Sequence, residues 1–186
     1  LVCVGFRPAA LALAAAIEDS VRAGRLPAAF RDRVVFLEKN AETIWQGGLL
    51  LPGTNINHSA YRDLAAPRDP GSAFTFLRYL KESGRLYEHG AWSGAPSRIE
   101  WSDYVSWAAR QLASYARYHH EVEGVERTRL ADGRAFCTST ARGSFFSRQV
   151  MIACGMERYL PEEFQQAPDH LVRHADSYLY YRDDID

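Results

Sequence analysis

Leu1-Val-Cys-Val-Gly-Phe-Arg-Pro8 begins the chain with an apolar run that breaks at a glycine and a proline. Four apolar residues in succession read as a buried strand, Leu1–Val4, and Gly5–Pro8 as a turn. Ala9 to Ala23 is rich in alanine and leucine, both strong helix formers. Pro8 suits the first helical turn, where its missing N–H costs no hydrogen bond, and Gly24 ends the helix. Arg33 to Leu37 carries Val34-Val-Phe-Leu37, continuous as in a strand covered on both faces. Strand, glycine turn, helix and strand make one βαβ unit, so the fold class is α/β.

Glu38 closes the second strand. In dinucleotide-binding βαβ units an acidic residue here, about 20 residues after the turn, takes the ribose hydroxyls of the cofactor. The separation from Gly5 is longer in this chain, and a long helix plus the Leu26–Asp32 loop accounts for it. A surface carboxylate at a strand end is the other reading, and this feature alone does not separate the two.

Thr43 to Thr54 is a loop with three glycines and a proline, Asp69-Pro-Gly-Ser72 is a turn, and a Phe-rich helix runs from about Phe74 to Ser83. A second helix is predicted over Trp101–Tyr118 with Ser102 as cap. Its apolar positions Tyr104, Val105, Trp107, Ala108, Leu112 and Tyr115 fall mainly on one face. From Glu121 to Ile152 the texture turns to β, with a hairpin turn at Asp132-Gly133.

Composition bounds the function. With 47% hydrophobic and 24% charged residues the chain is globular rather than disordered. A net charge of −1 gives no basic surface for nucleic acid. No apolar run reaches the roughly 20 residues that a membrane span needs. Cys3, Cys137 and Cys154 have neither metal-ligand spacing nor the even number of a disulfide framework, which points to a reducing cytoplasm. His119-His120 has no partner cluster and reads as a surface pair. Ser144–Ser147 lacks elbow glycines and positioned His and Asp partners, so no hydrolase triad is expected. Leu1 lies inside a strand with no initiator methionine, and the expectation is a piece of a longer protein.

The middle of the chain is the most specific part. Glu38-Lys-Asn40, Ile44-Trp45, Leu49-Leu-Leu-Pro-Gly-Thr54, Arg62-Asp-Leu64, Pro67-Arg-Asp-Pro70, Phe74-Thr-Phe-Leu-Arg-Tyr-Leu80 and Arg98-Ile-Glu-Trp-Ser-Asp-Tyr104 follow one another in order. His174-Ala-Asp-Ser-Tyr-Leu179 comes late. This series resembles the flavin-dependent ornithine and lysine N-monooxygenases of siderophore and related natural-product pathways, over Leu1 to about Asp183.

The resemblance implies a Rossmann-like FAD-binding domain, of the two-dinucleotide-binding-domain flavoprotein type, with an inserted helical segment and a β-meander. Residues 1–186 would form a partial FAD-binding domain. It implies an oxidoreductase in which NADPH reduces FAD and the reduced flavin activates O₂ for attack by an unprotonated side-chain amine. By position, Gly5 and Pro8 belong to the FAD turn, Glu38 and Lys39 to the ribose end, and Trp45, Gln46 and Asn57 to the flavin side. Val122 falls where a valine backbone meets adenine, and Gly155 closes a late turn of the FAD site. Arg62 stands at the substrate lysine. No metal ligand and no catalytic side chain are assigned.

Three departures accompany the resemblance. The family turn has glycine where Arg7 stands; a left-handed Arg7 would be strained by about 1–2 kcal/mol and weaken FAD binding, whereas its guanidinium could instead pair with phosphate. Ala10, Gln46, Asn57 and Arg62 replace an asparagine, a histidine, a glutamine and a lysine, and an arginine is not equivalent to a lysine. No second glycine-rich unit for NADPH is visible, so that site is expected outside these residues. The expected partners are a small-molecule amine, with either a homo-oligomer or a chain supplying the NADPH domain. A degenerate homologue acting as a binding or regulatory module is the competing reading. A flavin monooxygenase acting on carbon or sulfur fits the βαβ unit but not the middle motifs.

Overall fold

The computed structural model describes residues 1–184 apart from 93, 131–132, 156–158 and 169. Strands β1 (Val2–Val4), β2 (Val35–Leu37), β3 (Ala116–Arg117) and β7 (Val150–Ile152) form one parallel sheet in the order β3-β2-β1-β7. Strands β4 (Val122–Leu130), β5 (Gly133–Thr140) and β6 (Gly143–Ser147) form a separate antiparallel meander. The texture from Glu121 to Ile152 is β as expected, but its last strand leaves the meander. Val150 pairs with Val2 on the side of β1 opposite β2. Asp132, expected in a hairpin turn, lies outside the described residues.

Helix α1 (Pro8–Arg22) connects β1 to β2. Its buried face is Ala10, Leu11, Ala14, Ala15, Ile17 and Val21, the i, i+4, i+7 spacing of an amphipathic helix. Three alanines on that face let the helix lie close to the sheet. Glu18, on the same helix, is also buried. It accepts Arg31 Nε at 2.8 Å, Arg22 Nε at 2.9 Å and the Tyr115 hydroxyl at 2.8 Å. Arg31 foremost, with Arg22 and Tyr115, holds its carboxyl at about 2, below the usual range.

Helices α2 (Phe76–Glu82), α3 (Leu86–Trp92) and α4 (Arg98–Gln111) make the inserted helical layer. Phe76, Tyr79, Trp101 and Tyr104 pack with ring centroids 5.1–5.8 Å apart, within the range of favourable aromatic pairs. The fully buried Tyr104 hydroxyl donates to Phe74 O at 2.7 Å and accepts the Leu64 N–H at 3.1 Å. Phe74 and Phe76 are therefore core residues.

Two helix boundaries differ from the sequence reading. The cap of α4 is Ser97, whose Oγ accepts the Glu100 N–H at 3.0 Å, and not Ser102, which is buried inside the helix. Serine followed three residues later by glutamate is the stronger start signal. The helix also ends at Gln111 rather than Tyr118. A 3₁₀ turn over Ala113–Tyr115 redirects the chain, and Ala116 pairs with Phe36. Sheet pairing overrides helix propensity there. Helix α3 has no counterpart in the sequence reading; it is a short, seven-residue helix that carries Gly90, a weak helix former, in its interior.

A candidate dinucleotide crevice at the ends of the parallel strands

In an open parallel sheet, ligands bind beyond the carboxyl ends of strands where the strand order reverses. Here β1 has β2 on one side and β7 on the other, so the chain leaves β1 for one side and later returns on the other. Gly5 follows β1, Glu38 follows β2, and Gly155 lies just past β7. Three expected site residues thus gather at one end of the sheet.

Gly5 is required twice over. Its φ is +93°, which side-chain-bearing residues rarely adopt. A Cβ there would also stand 2.6 Å from Ala153 O and 2.9 Å from its carbonyl carbon. The close approach it permits is between β1 and β7, since the Ala153 N–H donates to Val4 O at 2.8 Å.

Arg7 is not left-handed. Its φ of −106° and ψ of −177° are extended, and its carbonyl accepts the first helical hydrogen bond, from the Leu11 N–H at 2.9 Å. The strain considered for Arg7 is absent; the positive φ falls on Gly5 instead. Pro8 is the first residue of α1, and no side chain caps that helix end.

Glu38 is buried, at 3% exposure, so it is not a surface carboxylate. Its Oε2 accepts the Phe6 N–H at 3.0 Å, tying the end of β2 to the glycine turn. Its Oε1 accepts both the Asn40 N–H at 3.1 Å and Asn40 Nδ2 at 2.8 Å. The backbone of the same stretch is fastened to the end of β3. His120 N–H donates to Glu38 O at 2.9 Å and His119 N–H to Asn40 O at 3.2 Å, with His119 at φ 56°. This brings Val122, at the start of β4, toward the Glu38 end of the sheet. Lys39 is exposed and lies 3.7 Å from Glu121 Oε1.

The loop after Glu38 folds back on the turn. Thr43 Oγ1 donates to Phe6 O at 3.1 Å, and Ser106 Oγ of α4 donates to Thr43 O at 2.8 Å. Trp45 is half-buried, with the Arg98 guanidinium 4.8 Å above its ring centre. Arg98 also donates to Leu49 O at 2.8 Å and to the Gln46 side-chain oxygen. Gln46 is left-handed, at φ 48°. Residues Ala175–Tyr180 form a 3₁₀ helix that covers this loop. A Cβ on Gly48 would lie 2.1 Å from Asp176 O, and one on Gly47 2.2 Å from the Tyr180 hydroxyl. The late His174–Leu179 motif and the Trp45–Gln46 loop are therefore in direct contact.

Asn57 and Arg62 are exposed, and neither side chain has a polar partner among the described residues. Their segment is anchored at its beginning, where Arg98 N–H donates to Thr54 O at 2.9 Å and Ile56 N–H to Pro96 O at 3.0 Å. Among the described residues, no hydrogen bond joins them to the glycine turn. A separate cavity of about 440 Å³, lined by Asn55, Arg85, His89 and Glu100, includes none of the crevice residues.

Sequence reasoning missed Asn40, Thr43 and the clamp made by Arg98. Arg98 and Asn40 were legible only as members of quoted motifs, and Thr43 carries no periodic signal. Cys3, beside the turn, is fully buried, and that burial pushes its thiol up to about 12. All three cysteines are free. No helix among the described residues is long and apolar enough to cross a membrane.

The family described as L-lysine 6-monooxygenase/L-ornithine 5-monooxygenase matches residues 1–185. An L-ornithine N(5)-monooxygenase of Beauveria bassiana is 36% identical over 191 residues, which cover 97% of this chain and 35% of that protein. The L-lysine 6-monooxygenase of Pseudomonas syringae superposes with a TM-score of 0.76 at 35% identity, over 91% of this chain and 40% of the other. An ornithine N-hydroxylase from Kutzneria sp. 744, solved with reduced FAD, NADP⁺ and L-ornithine, gives a TM-score of 0.82 at 30% identity, over 100% of this chain and 43% of the other. The chain thus spans between about a third and a half of the length of these relatives.

Proposed function

The chain belongs to the L-lysine 6-monooxygenase/L-ornithine 5-monooxygenase family, and we propose from this that it forms the FAD-binding portion of an NADPH-dependent amine N-hydroxylase. The substrate class is the side-chain amine of ornithine, lysine or a related small amine. The observation that carries the reading is the buried Glu38 carboxylate held on the Phe6 N–H, beside the positive-φ Gly5 at the strand-order reversal.

The residues present fit the cofactor. The end of α1 has no side-chain cap, so its free N–H groups and dipole favour the negative charge of a pyrophosphate. Pro8 starts the helix without occupying a donor. Glu38 suits a sugar hydroxyl, Val122 backbone suits the adenine end, and Gly155 leaves the far wall open. Lys39 would stand at the ribose end. The bound flavin would supply the redox chemistry with O₂. Trp45 and Gln46, clamped by Arg98 and backed by the 175–180 turn, would form a rigid wall on the flavin side and limit water there. Asn57 and Arg62 would face flavin and amine substrate. Their exposure supports a site completed by residues outside this chain, and so does the presence of a single β-strand, glycine turn, helix, β-strand unit among the described residues. The partner would be the NADPH-binding portion, supplied in cis or by another chain. Three free thiols fit a cytoplasmic protein.

Titration of the purified 186-residue chain with FAD tests the reading. Saturable binding, with quenched flavin fluorescence and the visible absorbance of bound flavin, is the expected result. A chain that ignores added FAD would overturn it and favour a non-catalytic homologue.

A further inference from the structure

A carboxylate offers about four acceptor positions, two on each oxygen. In Glu38 three are taken. Oε1 is filled by the backbone N–H and the side-chain Nδ2 of Asn40, and Oε2 holds the Phe6 N–H. The one remaining position is on Oε2, the oxygen joined to the glycine turn. Asn40 itself is held by its own backbone, whose carbonyl accepts the His119 N–H.

We infer that Asn40 is a positioning residue that leaves Glu38 able to accept one ribose hydroxyl rather than two. The inference rests on the FAD reading above and sharpens it. The donor that completes Oε2 is a neutral O–H. The pyrophosphate of a dinucleotide, which carries negative charge and no proton to give, is repelled by a buried carboxylate, so of the groups in the adenosine half a ribose hydroxyl is the one that suits Oε2. Asn40 acts only through Glu38: its Nδ2 closes the second oxygen and fixes the carboxylate plane against the turn.

Calorimetric titration of the chain with ADP, 2′-deoxy-ADP and 3′-deoxy-ADP tests this, since ADP carries the ribose and pyrophosphate of the FAD adenosine half. In the wild type, loss of one hydroxyl weakens binding by about tenfold, the scale of a hydrogen bond to a charged group, and loss of the other leaves it nearly unchanged. Asn40→Ala removes Nδ2 and opens a position on Oε1, so both deoxy analogues then bind more weakly than ADP. Asn40 is exposed and its backbone contacts remain, and a purely structural role would weaken all three ligands alike. Equal losses for the two analogues in the wild type would overturn the inference, as would an unchanged one-sided pattern in Asn40→Ala. If ADP binds but neither hydroxyl matters, Glu38 is no ribose ligand and its place in the FAD reading falls too. If FAD binds and ADP does not, the adenosine half is held elsewhere and only the role of Asn40 and Glu38 is lost. Failure of both to bind overturns the FAD reading and this inference together.

Discussion

Replacing Gly5 with alanine should cost about 3 kcal/mol of folding stability, and the structure divides that cost into two parts. The first is conformational: at φ +93° an L side chain meets its own backbone, for about 1–2 kcal/mol. The second is a collision. The new Cβ would lie 2.6 Å from Ala153 O and 2.9 Å from its carbon, both backbone atoms of the segment leaving β7. Neither atom can rotate away, so β7 must shift from β1, and overpacking of this kind costs about 1–3 kcal/mol. Gly24 provides the control, with φ +70° and nothing within 4 Å of the position a Cβ would take. Gly24→Ala should therefore cost only the conformational part. Urea denaturation of the wild type and both variants gives the two numbers by linear extrapolation. A Gly5→Ala loss equal to that of Gly24→Ala would refute the claim that contact with β7, and not backbone conformation alone, requires the glycine.

Three further outcomes are expected. Glu18 has a folded pKa of about 2, below its unfolded value near 4.5, so its stabilising effect is complete above that unfolded value and is lost as pH falls through about 2. With 1.36 kcal/mol per unit, the wild type should lose up to about 3 kcal/mol more than Glu18→Gln over that window, as read from urea midpoints. Arg7→Gly should change stability by less than about 0.5 kcal/mol, since an extended N-cap residue has no strain to release; a gain above about 1 kcal/mol in the same assay would contradict the extended backbone. Gly48→Ala should lift residues 175–180 from the Trp45–Gln46 loop, because its Cβ would meet Asp176 O at 2.1 Å. Limited proteolysis should then cut that segment about tenfold faster or more, a scale set by about 1.4 kcal/mol of lost packing; unchanged protection would speak against the contact.

The βαβ unit was legible because its signals are local. A continuous apolar run, a glycine turn, an alanine-rich helix and a second apolar run each specify their own structure, and β1, α1 and β2 appear within about two residues of expectation. Glu38 was legible as a position but not as an environment, since its burial depends on Phe6 and Asn40 folding around it. The failures are places where distant partners decide. Ala116–Arg117 reads as helix yet pairs with β2, and Val150–Ile152 reads as the end of a meander yet pairs with β1. Of the two conformations open to Arg7, the left-handed one is not adopted, because the turn's positive φ sits earlier, at Gly5. The 175–180 cover over Gly47 and Gly48 joins residues far apart in the chain, beyond any periodicity in the sequence.

The pairing of β1 with both β2 and β7 also has a consequence in time. Val2 meets Val35 soon after synthesis of this stretch begins, but its other neighbour, Val150, is made much later. Until then the nascent chain carries β1 as an open edge, with its N–H and C=O groups unpaired on one side and free to recruit another strand. Gly5 has no wall to press against during that interval. The half of the crevice made by β7, and with it any competence to hold a nucleotide, matures late, and a ribosome-bound or truncated product ending before Gln149 should be the most aggregation-prone form of this protein.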